Sequence, residues 1–378
     1  MKQDTLLAQS GARRDPATGA ISMSICPSAA FQHPALGQST GFDYSRTGNP
    51  TRLALEESMA ALEGGARALA FASGMAAVDA VMGLFSPGDT ILVTEDMYGG
   101  TFRFFERFCK NRGLRFVYAD TSATEQTADI LKQQEFRGLF VELPTNPLLK
   151  VADLNALGTL AKKHGLIYIV DNTFLTPVFC RPLDFGADVT VYSATKYLGG
   201  HNDLVAGLAV ARDAELGGRL AYIQNAVGAI LSPFESWLLL RSLKTLSLRL
   251  KKHAENAREV AEFLSGHKAV ANLRYPGLST DPGHAILTSQ ARGHGAIISF
   301  EVASHAEVER ILASVKVFFF AESLGAAESL ITYPFVQTHA DIPADMRTRS
   351  GLTDRLLRLS VGLEDPGDLI EDIARVLN

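Results

Sequence analysis

Cysteine is scarce in this chain of 378 residues: Cys26, Cys109 and Cys180 are its three, far apart, with no CxxC and no His pair at ligand spacing. That odd, scattered set speaks against a disulfide framework or a zinc site and fits free thiols in a reducing compartment. No apolar run is long enough to span a bilayer, and the opening MKQDTLLAQSGARRD lacks the apolar core of a secretory leader. A cytoplasmic protein is therefore expected. Neither GxxxxGK nor GxGxxG occurs, so a Walker loop and a dinucleotide fingerprint are both missing. A formal net charge of −5 gives no reason to expect nucleic acid or an acidic membrane as partner. No internal repeat or low-complexity tract is visible. What remains, 47% hydrophobic and 20% charged, is an ordinary globular chain large enough for two domains.

What is present alternates. Short runs rich in β-branched and aromatic residues predict strands at Ala68–Phe71, Thr90–Thr94, Arg115–Ala119, Leu139–Leu143, Ile167–Val170, Val189–Tyr192 and Leu204–Val210. Helix-compatible segments separate them at Phe102–Asn111, Thr124–Gln134 and Leu154–His164, and Leu53, Leu55, Met59 and Leu62 mark a helix that stops at Gly64-Gly65. Such alternation predicts the α/β class, with a mostly parallel sheet covered on both faces. Residues 1–50 read as an extended arm. Its Gly and Pro recur, while Phe31, Phe42 and Tyr44 favour packing over disorder. Past Gly228, Pro233–His253 reads as one long helix bridging two domains. The remainder mixes strands (Gly295–Val302, Leu356–Val361) with helices (His305–Ser314, Asp365–Leu377) and reads as a smaller α+β domain. The expected division is an arm 1–50, a large domain 51–240 and a C-terminal domain 241–378.

The stretch LIYIVDNTFLTPVFCRPLDFGADVTVYSATKYLGG, Leu166 to Gly200, carries the chemistry. One apolar run ends on Asp171, and the next ends on Ser193-Ala194-Thr195-Lys196. Parallel strands deliver such residues just past their carboxyl ends, where open α/β sheets bind ligands. Singly, an Asp after a strand is usually a turn or cap, and a lone Lys a solvated charge. Together, with two hydroxyls within one turn of the amine, they point to pyridoxal phosphate (PLP). The lysine would form a Schiff base, and the carboxylate would keep the pyridine nitrogen protonated.

Other strand ends converge on the same edge. Ala72-Ser73-Gly74-Met75 is a strand, a small-residue turn and a helix start, where exposed N–H groups and the helix dipole favour an anion; an ordinary βα turn explains it equally. Tyr98 precedes two glycines after one strand, and Asn146 follows another, as packing and turn residues or as ligands. In YSRTGNPTR, Arg46 is either a solvated loop arginine or a phosphate clamp. Arg358 interrupts the run RLLRLSV. An arginine there usually marks an edge strand, but its planar fork also suits a substrate carboxylate.

YSRTGNPTR, FASGMAA, YGGT, PTNP, VDNTF, SATKYLGGH, the SLG of Ser323–Gly325 and LLRLSVGLED together resemble the signatures of the Cys/Met-metabolism family of PLP-dependent enzymes. The matches run from the arm to the last helix; Leu143 departs from the Ser or Thr usual before the Pro. The resemblance implies a fold type I PLP-dependent transferase: an N-terminal arm, a large domain with a seven-stranded sheet and a smaller C-terminal domain. It implies catalytic roles for Lys196, Tyr98 and Asp171, with Lys196 carrying the cofactor, Asp171 on the pyridinium and Tyr98 stacked on the ring. Ser73, Gly74, Met75, Ser193 and Thr195 would hold the phosphate, with Tyr44 and Arg46 reaching in from a neighbouring subunit of a homotetramer (a dimer of dimers). Arg358, Ser323, Asn146, Asp43, Glu322 and Arg103 would bind the amino-acid substrate.

The resemblance further implies a transsulfuration reaction. Acids at Asp43 and Glu322 resemble the γ-synthase branch, and Gly100 lacks the cysteine expected of methionine γ-lyases. The leading expectation is γ-replacement on O-acetyl- or O-succinylhomoserine by cysteine or sulfide. The alternative is a cystathionine β- or γ-lyase. An inert binding protein would retain the fold without the site residues, and a simple aminotransferase would need a second carboxylate site that nothing identifies.

Overall fold

Seven apolar runs of five residues each build the larger sheet: β1 (Arg67–Phe71), β2 (Thr90–Thr94), β3 (Arg115–Ala119), β4 (Gly138–Glu142), β5 (Ile167–Asp171), β6 (Val189–Ser193) and β7 (Gly207–Ala211). The structure, a computed structural model, describes residues 1–12 and 18–378; residues 13–17 of the arm lie outside the described residues. The strand order is β1-β7-β6-β5-β4-β2-β3. The strands β3, β2, β4, β5 and β6 pair in parallel, whereas β7 runs antiparallel to both β6 and β1.

Side chains alternate across each strand, and both faces are buried, which is why the runs are apolar throughout. On β5, Tyr168 and Val170 join one core and Ile169 the other; on β4, Leu139 and Val141 oppose Phe140 in the same way. Helices Gly74–Met82 and Ala214–Val227 contribute Val78 and Leu220 to one core, and helices Pro50–Glu63 and Leu154–His164 contribute Leu55 and Leu157 to the other. The helix Leu154–His164 has the bounds its sequence predicts, because the Asp153 side chain accepts from Ala156 N and Gly165 closes it at φ +64°.

The second sheet is made of β8 (Ala271–Arg274), β9 (Ile297–Glu301), β10 (Phe319–Phe320), β11 (Leu330–Thr332) and β12 (Leu356–Ser360), in the order β10-β11-β12-β9-β8. Helix Pro366–Leu377 seals it with Leu369, Ile373 and Val376. Arg358 therefore sits on the central strand, not an edge, and is 2% exposed.

Two sequence expectations are corrected. The arm does not begin extended: Gln3–Ala8 is helical, Leu7 is buried, and Gln3 Nε2 donates to Pro177 O of the same chain at 2.6 Å. The segment Pro233–His253 is not one helix. It breaks at Lys244-Thr245 into Pro233–Leu243 and Leu246–Ser265. Arg249, in the second helix, satisfies a carbonyl at the break: its guanidinium donates to Ser242 O (3.1 Å) in the last turn of the first helix and to Tyr197 O (2.8 Å) in the turn after Lys196. Gly200 lies against that guanidinium with φ +72°, so a Cβ there would strike Arg249 in a backbone conformation that side chains rarely adopt.

Candidate active site

The site grows from the β5–β6 pair. Asp171 ends β5, and its Oδ1 accepts from Thr173 N (3.0 Å) and Thr173 Oγ1 (2.5 Å). The same Thr173 hydroxyl accepts from Ser193 N at the end of β6 (2.9 Å), so one threonine ties the two strand ends together. Burial raises the Asp171 pKa, and the two donors from Thr173 oppose the rise. Three residues beyond Ser193, Lys196 turns back toward the second sheet, and its Nζ donates to Ser323 Oγ at 2.8 Å. Burial, and then the Arg358 charge, lower the Lys196 pKa to about 8, with Glu322 opposing them. The amine is thus far more readily neutral than an exposed lysine.

Beside them lies an anion-binding end. Ser73 caps the helix Gly74–Met82, its side chain accepting from Ala76 N at 3.1 Å. A Cβ on Gly74 would lie 2.9 Å from Ser193 Cβ, so only glycine lets this helix start close on β6. Free N–H groups and the helix dipole point at the space between them. Thr195 Oγ1 holds the loop before β7, accepting from Ala206 N at 3.0 Å.

The opposite wall comes from both sheets. Arg358 Nη1 donates to Asn146 Oδ1 (2.8 Å), and Nη2 donates to Ser323 O (2.9 Å) and Thr332 Oγ1 (3.2 Å), while its buried Nε has no partner. All three acceptors are neutral. A buried guanidinium without a counter-ion is costly and awaits an anion. Burial lowers its pKa to about 10, still charged at neutral pH. Ser323 adopts φ +124°, a strained value for a side chain with a Cβ, and is held there through its O by Arg358 and its Oγ by Lys196. Tyr98 is folded over Gly100, where a Cβ would strike its ring. Its phenol stays protonated, because burial raises the pKa more than the nearby Arg103 charge lowers it.

These groups enclose a cavity of about 280 Å3. Of the residues expected from sequence, Ser73, Gly74, Met75, Tyr98, Asn146, Asp171, Ser193, Thr195, Lys196, Glu322, Ser323 and Arg358 line it. Asp43, Tyr44, Arg46 and Arg103 do not. Asp43 accepts from Ser39 Oγ, Arg46 donates to Asn225 O (2.6 Å), Tyr44 is exposed, and Arg103 pairs with Asp341 at 2.6 Å. Sequence reasoning missed Thr173, Glu142 and Thr338, which also line the cavity. It missed His339 as well, which is buried with its Nε2 between Met97 O (3.1 Å) and Asn146 O (2.8 Å). Two carbonyls can only accept, so that nitrogen carries the proton, and the imidazole fixes the segments bearing Tyr98 and Asn146. An acid ending a strand at Glu142 was the visible signal for that residue. PLP fits the assembled groups: an amine of lowered pKa, a buried carboxylate, an anion-binding helix start and a guanidinium without a counter-ion share one cavity. Among the described residues no cluster of metal-ligating side chains occurs, and no helix is long and apolar enough to cross a membrane.

Comparison with known proteins places the chain among enzymes. The sequence profile described as Cys/Met metabolism PLP-dependent enzyme matches residues 4–378. A cystathionine gamma-lyase of Bacillus subtilis (strain 168) is 47% identical, over 100% of this chain and 99% of its own length. A cystathionine gamma-synthase/O-acetylhomoserine (thiol)-lyase of the same organism is 48% identical, over 99% of this chain and 96% of its own. The crystal structure of cystathionine gamma synthase from Xanthomonas oryzae pv. oryzae, in complex with aminoacrylate and cysteine, superposes with a TM-score of 0.97 at 43% identity, covering 100% of this chain and 98% of that one.

Proposed function

This chain belongs to the Cys/Met metabolism family of PLP-dependent enzymes, and we propose that it catalyses γ-replacement on an O-acylhomoserine, with cysteine or sulfide as the incoming nucleophile. Glu322 is the observation that carries this reading. It lines the cavity, its charge acts on Lys196, Tyr98 and Arg358, and it has no hydrogen bond or ion pair among the described residues. A free carboxylate at that position suits the ammonium group of an amino acid, either the substrate or the incoming cysteine.

When bound, PLP supplies an electron sink for negative charge developing at the substrate Cα. We assign its phosphate to Ser73, Gly74, Met75, Ser193 and Thr195, its ring nitrogen to Asp171 and its attachment to Lys196. Arg358, preset by Asn146, Ser323 and Thr332, takes the substrate α-carboxylate. Lys196 Nζ, with its lowered pKa, accepts the Cα proton and passes protons onward. γ-Replacement also removes a proton at Cβ and breaks the Cγ–O bond. The acyl group leaves as a carboxylate, and the thiol sulfur forms the new Cγ–S bond. Lys196 is the group placed to take the Cβ proton and return protons to Cβ and Cα, the thiol proton leaving with the carboxylate, while the protonated Tyr98 phenol can only donate.

We read residues 1–50 as an arm whose Asp43, Tyr44 and Arg46 complete the site of a neighbouring copy, 51–240 as the cofactor-binding domain and 241–378 as the C-terminal domain. A cytoplasmic homotetramer is the matching assembly. Support comes from the absence of those three residues from their own cavity and from exposed apolar groups beside Arg46's partner Asn225, Tyr222 at 76% and Val227 at 59%. Cystathionine lyase activity is the second reading, favoured by the 47% identical γ-lyase. The test is to incubate the purified holoenzyme with O-acetyl- or O-succinylhomoserine plus cysteine or sulfide, and separately with cystathionine. Cystathionine or homocysteine formation is expected. Release of pyruvate or 2-oxobutyrate from cystathionine alone, with no replacement product, would overturn the proposal in favour of a lyase.

A further inference from the structure

Glu142 is a buried carboxyl group that the roles assigned above leave unused. It ends β4 in register with Asp171 at the end of β5, so adjacent parallel strands deliver two carboxyl groups to the same edge and face of the sheet. It is 5% exposed and lines the cavity. Its Oε2 accepts from Tyr98 N at 3.0 Å, whereas its Oε1 is buried with no partner.

The groups around it decide its charge. Asp171 and Asp96 are acids, and Tyr98 is a protonated phenol. Arg358, the cation that feels its charge, is engaged by Asn146, Ser323 and Thr332 instead. No ion pair reaches Glu142 among the described residues. A second buried carboxylate there would have no counter-ion and a like charge on the next strand, an arrangement in which one of the two acids keeps its proton. Asp171 has two donors from Thr173 that favour its anion, one of them a hydroxyl, whereas only backbone amides act on Glu142, that of Tyr98 and, less strongly, that of Asn146. Burial, reinforced by Asp171, accordingly pushes the Glu142 pKa well above the usual carboxylate range.

We propose that Glu142 is a positioning residue of the cofactor site: a neutral carboxylic acid whose Oε2 holds the Tyr98 peptide and whose Oε1–H donates into the cavity, leaving Asp171 as the carboxylate of the pair. The proposal rests on the reading that PLP lies between Lys196 and Asp171, but not on which reaction follows. Protonation makes the orphaned oxygen a donor to an acceptor bound in the cavity, because a carboxylic acid is both donor and acceptor. It also keeps negative charge concentrated on Asp171.

Glu142→Gln and Glu142→Leu holoenzymes test this through the PLP dissociation constant and the visible circular dichroism of the bound cofactor, which reports its orientation. Glutamine keeps an acceptor for Tyr98 N–H, offers a donor to the cavity and cannot ionise. It should match wild type within about threefold, with the same dichroic band. Leucine strands the Tyr98 N–H and should weaken PLP about tenfold or more, with an altered band. A Gln variant as defective as Leu would show that the anion is needed and would overturn the proposal, as would a Leu variant indistinguishable from wild type. If the Leu variant does not fold, Gln decides alone: wild-type affinity and band sustain the neutral acid, and a tenfold loss ends it. Lys196→Ala separates the two layers. A visible band that survives that change defeats the site reading itself, whatever Glu142 does.

Discussion

Replacing Arg358 by Lys keeps a positive charge and removes the planar fork, so it isolates geometry from charge. In the structure the guanidinium plane is fixed before any substrate arrives, by Asn146 Oδ1 at 2.8 Å, Ser323 O at 2.9 Å and Thr332 Oγ1 at 3.2 Å. A lysine ammonium is a point donor on a flexible stem, and it cannot hold those acceptors and a carboxylate in two parallel bonds at once. The change therefore forfeits at least one charge-assisted hydrogen bond to the substrate, about 1.5–3 kcal/mol. That corresponds to a loss of about 10- to 150-fold in kcat/KM at 25 °C. Because the α-carboxylate is bound alike in ground and transition states, most of the loss should fall on KM. The assay is steady-state kinetics on the amino-acid substrate at matched cofactor content. A kcat/KM within about threefold of wild type, with full cofactor, would refute Arg358 as the carboxylate anchor, since no mechanism preserves two bonds with the fork removed.

Three further outcomes follow from the same geometry. Asp171→Asn keeps an acceptor for Thr173 but removes the buried charge, and the rate should fall about a hundredfold or more; near-normal turnover would remove Asp171 from the cofactor's ring nitrogen. The rate at which cofactor-free enzyme takes up PLP should rise with pH and level off above about 8, because the neutral Lys196 amine is the attacking form and its pKa is lowered to about 8; a rate still climbing at about pH 10 would indicate an unperturbed lysine. Arg249→Leu strands the Tyr197 and Ser242 carbonyls and should cost about 1–3 kcal/mol in urea denaturation of the holoenzyme, whereas unchanged stability would mean that the helix break needs no such support.

Much of the large sheet was legible in the sequence because both its faces are buried. Continuous apolar runs mark such strands directly, and the polar residues that end them, Asp171 and Ser193, then fall at one edge without further information. Helices with strong caps were equally plain: Ser304 accepts from Glu307 N, and the helix His305–Ser314 starts and stops where its sequence predicts. Elements that depend on distant contacts were not. The leucines of Pro233–His253 keep helical spacing through the break, where Arg249 bridges the Ser242 carbonyl before it to the distant Tyr197 carbonyl. The helix Ala214–Val227 hides behind Gly217-Gly218, and Gly217 is there because a Cβ would lie 2.8 Å from Arg67 Cβ on β1. The two residues of β10 and three of β11 are too short to show a period. Glu142 was readable as a residue, but its place beside Asp171 depends on β4 lying next to β5, a fact of strand order. Arg358 left two readings open for the same reason, an edge-strand arginine or a carboxylate anchor, and strand order removes the edge.

In the proposed site a lysine and an aspartate from neighbouring strands grip one cofactor. Borohydride reduction of the holoenzyme, followed by proteolysis and mass mapping of the pyridoxyl-labelled peptide, tests that grip directly. The label should sit on Lys196, and the Lys196→Ala protein should take none. A label on any other lysine, or an undiminished label in Lys196→Ala, would contradict the arrangement at its root.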